Sequence, residues 1–133
     1  VDVIPNDANV PFSTAQPTPN PSPTFAPTLA PLENWSHITT VVEHGCGGTV
    51  GEQETIATQL QRLGTQVIVT YPATGTSFAL NQIAPNAFAG SYGTSTFVQV
   101  DLSFASSTTY TANETVTHES GCIVRTTWSG TKQ

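Results

Sequence analysis

The apolar positions of this chain alternate with polar ones far more often than they recur at helical spacing. Thr94–Phe104 is the clearest case. Val98, Val100, Leu102 and Phe104 fall on one face and Gln99, Asp101 and Ser103 on the other, the period-two pattern of a half-buried strand. Thr108–His118 sets Tyr110, Ala112 and Val116 on one face with Asn113 opposite, and Cys122–Trp128 keeps Cys122, Val124 and Trp128 in phase. His37–His44 carries Ile38, Thr40 and Val42 on one side until Gly45-Cys46-Gly47-Gly48 stops it. Gln66–Tyr71 is apolar on both faces, which predicts a central strand ended by Pro72. Thr76–Leu80 reads as a short strand, and residues 81–93 as a loop with aromatic anchors.

One stretch reads as a helix. Thr49-Val50-Gly51-Glu52 has the form of a capping box, Ile56, Leu60 and Leu63 follow at i, i+4 and i+7, and Gly64 stands where a helix would stop. Glu52 and Glu54 at the start and Arg62 at the end match the helix dipole. The pattern predicts one short α-helix over residues 50–63. Six or so strands with this helix predict a mainly β fold, a β-sandwich of Ig-like or jelly-roll-like type.

The first part of the chain differs in kind. Gln16–Leu32 is rich in proline, with one in every second place at 17, 19, 21 and 23. Alternate amide donors are therefore missing and φ is fixed, so polyproline II is expected and neither a helix nor an interior strand can form. At about 3 Å per residue the stretch is a stiff spacer of roughly 50 Å. The expected organisation is an extended N-terminal strip over residues 1–12, a Pro/Thr-rich linker over 13–34 and the β-sandwich domain over 35–133.

Composition narrows the function classes. The net charge is −6 with three Lys and Arg in all, so nothing neutralises a phosphate backbone or seeks an anionic membrane surface. No nucleic-acid partner and no membrane span are expected. Charged residues make up 9% of the chain, against about a quarter in ordinary soluble domains, and Thr and Ser take their place. Two sequons, Asn34-Trp35-Ser36 and Asn113-Glu114-Thr115, are candidate N-glycosylation sites, whereas Asn20-Pro21-Ser22 is disqualified by its proline. Thr18, Ser22, Thr24 and Thr28 in the spacer are candidates for O-linked sugar. With a single cysteine pair, these features predict an extracellular glycoprotein, read as a mature secreted chain whose signal has been removed.

Candidate chemistry is sparse. Cys46 and Cys122 come just after the domain's first strand and just before its last, and in an oxidising compartment such a pair reads as a disulfide. The alternative is metal: His44, Cys46, His118 and Cys122 supply two His and two Cys, enough for tetrahedral zinc, though neither arm has the familiar spacing. There is no Gly-x-Ser-x-Gly elbow, and His118, Glu119 and Ser120 are sequence neighbours, which does not orient a triad. A lone His in a Thr-rich strand reads as a surface residue. No enzyme activity and no cofactor are expected.

Val1-Asp2-Val3-Ile4 and Val10-Pro11-Phe12, followed by a stiff tether and a Thr-rich β domain with a cysteine pair, resemble in layout the strand-donating extracellular fibres. These are bacterial pilins of the chaperone–usher type, TasA-like matrix fibres and glycosylated archaeal pili. The resemblance is architectural and rests on no specific motif. It implies a structural subunit whose donor strand, with Val1, Val3, Ile4, Val10 and Phe12 as its apolar residues, fills an open groove of the next identical subunit. A contact between unlike surfaces propagates into a helical homopolymer. The alternative resembles a carbohydrate-binding module on a Pro/Thr linker, with Trp35, Tyr92, Tyr110 and Trp128 available as a sugar platform.

Overall fold

The computed structural model describes residues 30–133. The strip with Val1, Val3, Ile4, Val10 and Phe12, and the spacer with Thr18, Ser22, Thr24 and Thr28, lie outside the described residues. Eight antiparallel strands follow one another: β1 (Glu33–His44), β2 (Gln53–Leu63), β3 (Gln66–Tyr71), β4 (Thr76–Ala84), β5 (Ala87–Tyr92), β6 (Phe97–Phe104), β7 (Thr109–Thr117) and β8 (Ile123–Lys132). Each pairs with the next, and β8 returns to β1 from Trp35↔Lys132 to His44↔Val124, so the sheet closes into a barrel. This corrects the expected β-sandwich with a helix: the described residues form one closed up-and-down barrel and contain no helix.

The helix expected over residues 50–63 is strand β2. Its apolar spacing was ambiguous, because Ile56 and Leu60 lie four apart and so share a face in either geometry. Thr58, at the same phase, is buried with Leu60, while Leu63 is exposed, the split that a period of two produces. Gly64, expected as a helix cap, sits at φ 62° in the two-residue connection to β3, where a tight hairpin takes a glycine. The loop expected over 81–93 is also strand: β4 runs on to Ala84, and Asn86, at φ 65°, turns the chain into β5. β5 is spelled in small residues, and Gly90 is one for cause. A Cβ there would come within 2.5 Å of the Ala79 carbonyl oxygen on β4.

Alternation fills the interior. Trp35 and His37 of β1, Leu60, Val67, Val69, Leu80, Val100, Leu102 and Tyr110 all point inward and are essentially sealed from solvent, each large apolar side chain worth about 1.5–3 kcal/mol of burial. An eight-stranded barrel is just wide enough for side chains to fill, and here Trp35 packs on Tyr110 at 4.9 Å and edge-on to Phe104 at 6.0 Å. The face of β1 with Ile38 and Val42 is the outer one. Outward positions of β6 and β7 are Gln99, Asp101, Ser103, Thr111, Asn113 and Thr115, so this wall meets water; a lipid-facing barrel would carry an apolar band there.

Candidate functional site

The two rims of the barrel differ. At the rim where β1 begins, Glu33 gathers three groups: Trp35 Nε1 donates to it at 3.0 Å, Arg62 lies 3.6 Å away and Lys132 3.7 Å. The Arg62 guanidinium also covers the Phe104 ring at 4.1 Å from its centroid, so that an ion cluster and an aromatic ring seal this end. Arg62 was placed by sequence at a helix terminus; in a strand its even phase sends it inward instead.

The opposite rim carries the disulfide. Cys46 and Cys122 are bonded, with Cα atoms 5.3 Å apart, and tie the β1–β2 connection to the β7–β8 turn. That bond excludes the zinc set of His44, Cys46, His118 and Cys122, and the described residues hold no cluster of three or more His, Cys, Asp or Glu able to bind a metal. His44 serves the loop instead: its Nδ1 accepts from the backbone N–H of Cys46 at 3.3 Å and of Gly48 at 3.0 Å. His118 sits in the turn, where its N–H donates to the Cys122 carbonyl at 2.9 Å.

Inside this second rim the inward positions mix aliphatic, aromatic and acidic side chains: Ile56 on β2, Tyr71 on β3, Tyr92 on β5, and Glu114 and Val116 on β7, all partly exposed. Glu114 Oε1 accepts from the Thr126 hydroxyl at 2.7 Å and from Trp128 Nε1 at 3.4 Å. Phe78 stacks on Tyr92 at 4.5 Å, and Tyr71 meets Phe78 edge-on at 5.8 Å and Trp128 at 6.4 Å. Burial, and then the nearby Glu114 charge, raise the Tyr71 and Tyr92 phenols above the ordinary tyrosine value. Two clefts flank the rim and share Glu54. One of about 240 Å3 includes Ile56, Tyr71 and Thr74, and one of about 390 Å3 includes Thr39, Val41 and Glu52.

Beneath the mouth lies His37, fully buried. Its ring stacks on Trp128 at 4.4 Å, and its Nδ1 is 2.7 Å from the Tyr110 hydroxyl and 3.4 Å from Thr58 Oγ1. Nε2 is enclosed with no partner among the described residues. A bare lone pair is tolerated there better than an orphaned N–H, which places the proton on Nδ1, donated to Tyr110. Burial lowers His37 from 6.5 to about 4, so the imidazole is neutral at physiological pH. It was read from sequence as a surface residue; its phase with Trp35, two positions earlier, was the available signal.

The candidate sugar platform does not exist as a surface. Trp35, Tyr110 and Trp128 are interior, at 2% exposure or less, and Tyr92 points into the mouth. Asn34 and Asn113 are exposed on the outer wall. Glu114 and Tyr71 were missed; Glu114 is the one polar interruption in the inward row Tyr110, Ala112, Val116.

Together these features define a small closed β-barrel, sealed by an ion cluster at one end and lined with tyrosine and carboxylate at the other. No protein-family model matches the chain, and no curated protein matches it.

Proposed function

We propose that this chain is an extracellular, glycosylated binding module that takes a small ligand at the disulfide-bearing mouth of its barrel. The observation that carries this reading is the asymmetry of the two rims. Arg62 and Lys132 are ion-paired to Glu33 and Arg62 covers Phe104 at one end, whereas Tyr71, Tyr92 and Glu114 face inward at the other and stay partly open to solvent. A concave, mainly apolar site with a few convergent polar groups is the usual form of a small-molecule site. The single disulfide and the two exposed sequon asparagines support secretion and glycosylation.

Assembly into a fibre by strand donation has less support. That reading asks for an open groove and a free sheet edge, and every described strand is already paired on both sides. A donated strip over residues 1–12 would need some other acceptor surface.

The test is a fragment screen on the full chain followed by amide and aromatic NMR shifts. Ligands should perturb Tyr71, Tyr92, Glu114 and the neighbouring strands together. Hits that map only to the outer wall, or a chain that forms fibres and binds nothing, would overturn the reading.

A further inference from the structure

Building on that mouth as a ligand site, we propose that it selects an organic cation, a quaternary or alkyl ammonium group, with Glu114 as the counter-charge and the rings of Tyr71 and Tyr92 as the walls. Charge accounting carries the argument. The chain has three Lys and Arg. Arg62 and Lys132 lie against Glu33 at the sealed rim, 3.6 and 3.7 Å away, and Arg125 binds Glu43 at 2.7 Å on the surface. None is left for Glu114, which is partly buried on the inner wall.

The carboxylate is nevertheless held in place. Thr126 and Trp128 both donate to Oε1, and among the described residues no donor meets Oε2. With one oxygen held by neutral donors, the other is free to pair with a cation entering from the mouth. The adjoining surfaces are aromatic. Tyrosine faces are electron-rich and attract a cation that has shed water, and these rings are fixed by Phe78 and Trp128 packed against them. Glu54 adds a second carboxylate to the cleft beside Tyr71.

The chemistry separates this ligand from the others. A bare metal ion wants several hard ligands, and no suitable cluster exists among the described residues. An anion meets a mouth of one sign on a chain of net charge −6. A neutral sugar can donate a hydroxyl hydrogen bond to the free oxygen but leaves the charge unneutralised. An ammonium group wrapped in methyl or methylene carbon satisfies both the carboxylate and the rings.

The experiment titrates the full chain with tetramethylammonium and choline, and in parallel with 3,3-dimethylbutan-1-ol, the uncharged carbon isostere of choline. The readout is NMR shifts of Tyr71, Tyr92 and Trp128. The cations should bind at least about tenfold more tightly than the alcohol, and should weaken with added salt while the alcohol does not. Glu114→Gln keeps the oxygen that Thr126 and Trp128 donate to, and should abolish the preference for the cations over the alcohol. Should that variant fold poorly, the salt dependence on the native chain decides alone.

Equal binding of the alcohol, or no effect of salt, overturns the cation assignment and leaves the mouth as a site for neutral ligands. If neither probe moves the mouth while other fragments do, the cation assignment falls and the binding reading stands. If nothing of any charge moves it, both fall. Phosphatidylcholine vesicles distinguish the source: retention that free choline reverses assigns a lipid headgroup, and choline binding without retention assigns a free solute.

Discussion

Tyr110 on β7 reaches His37 on β1 across the intervening strand β8, phenol oxygen to Nδ1 at 2.7 Å. The residue between them is Gly130, paired in register with both. A Cβ at Gly130 would overlap the Tyr110 ring, so the glycine is the gap through which the phenol crosses. Gly130→Ala must therefore displace Tyr110 and leave a buried imidazole without its partner. The expected loss is about 2–4 kcal/mol, measured by urea denaturation. A loss under about half a kcal/mol would mean that the ring does not lie over β8.

His37 also sets a pH dependence. Its pKa falls from 6.5 to about 4 on folding because burial disfavours the charged form. Between those values the unfolded chain holds a proton that the folded chain does not. The contribution is complete above pH 6.5 and is lost as pH falls toward 4, roughly 3 kcal/mol in all. His37→Gln retains a group able to bond Tyr110 but cannot titrate. Its stability should fall less than that of the native chain over this window, and parallel curves would refute a buried neutral imidazole.

Leu60 and Leu63 separate strand from helix by thermodynamics. In the helical reading both belong to one buried stripe; in β2 Leu60 is fully buried and Leu63 is 38% exposed. Leu60→Ala should cost about 2–5 kcal/mol, and Leu63→Ala no more than about half a kcal/mol. Comparable losses at the two sites would contradict the inward–outward alternation of β2.

The Cys46–Cys122 bond spans 76 positions. Its removal should lower stability by up to about 4 kcal/mol, chiefly by releasing the unfolded chain. Because β1 and β8 are hydrogen-bonded along their length without it, a Cys46→Ser, Cys122→Ser chain should keep its β circular dichroism at room temperature. Loss of the spectrum would show that the bond is needed to close the ring.

Asn113 points outward from the middle of β7, beside a groove formed by Ile38, Thr40, Thr127 and Ser129. A glycan there would cover Ile38, which is 43% exposed. Native material should carry a mass on the peptides of Asn34 and Asn113 that an amidase removes. Unmodified peptides from the natural source would count against the secreted assignment.

The sequence displayed some of this fold openly and hid the rest for physical reasons. The alternation of Val98, Val100, Leu102 and Phe104 had one interpretation, and β6 follows it. The apolar pair Ile56 and Leu60 had two, since a spacing of four satisfies both periods, and the glycines and acids around it tipped the reading toward a helix. β5 was hidden because close approach to β4 demands small residues such as Gly90, which carry no strand signal. Closure of the sheet depends on which strands meet in space, and alternation is silent on that. The disulfide was legible because two cysteines allow one pairing. The mouth was not: Tyr71, Tyr92 and Glu114 come from three strands, and only the ring brings them together.

An even number of strands running up and down returns the chain to the rim where it started. Gln61 Nε2 donates to the Ala30 carbonyl oxygen at 2.9 Å, and the Gln133 N–H donates to the Asn34 carbonyl at 2.8 Å, so entry and exit are neighbours on the Glu33–Arg62 side. Whatever is joined to this barrel, before Glu33 or after Lys132, attaches on that one side. The tyrosine-lined rim lies at the opposite end of the barrel from both of these positions. A short link from Gln133 to Ala30 would give a circular permutant cut at any other turn.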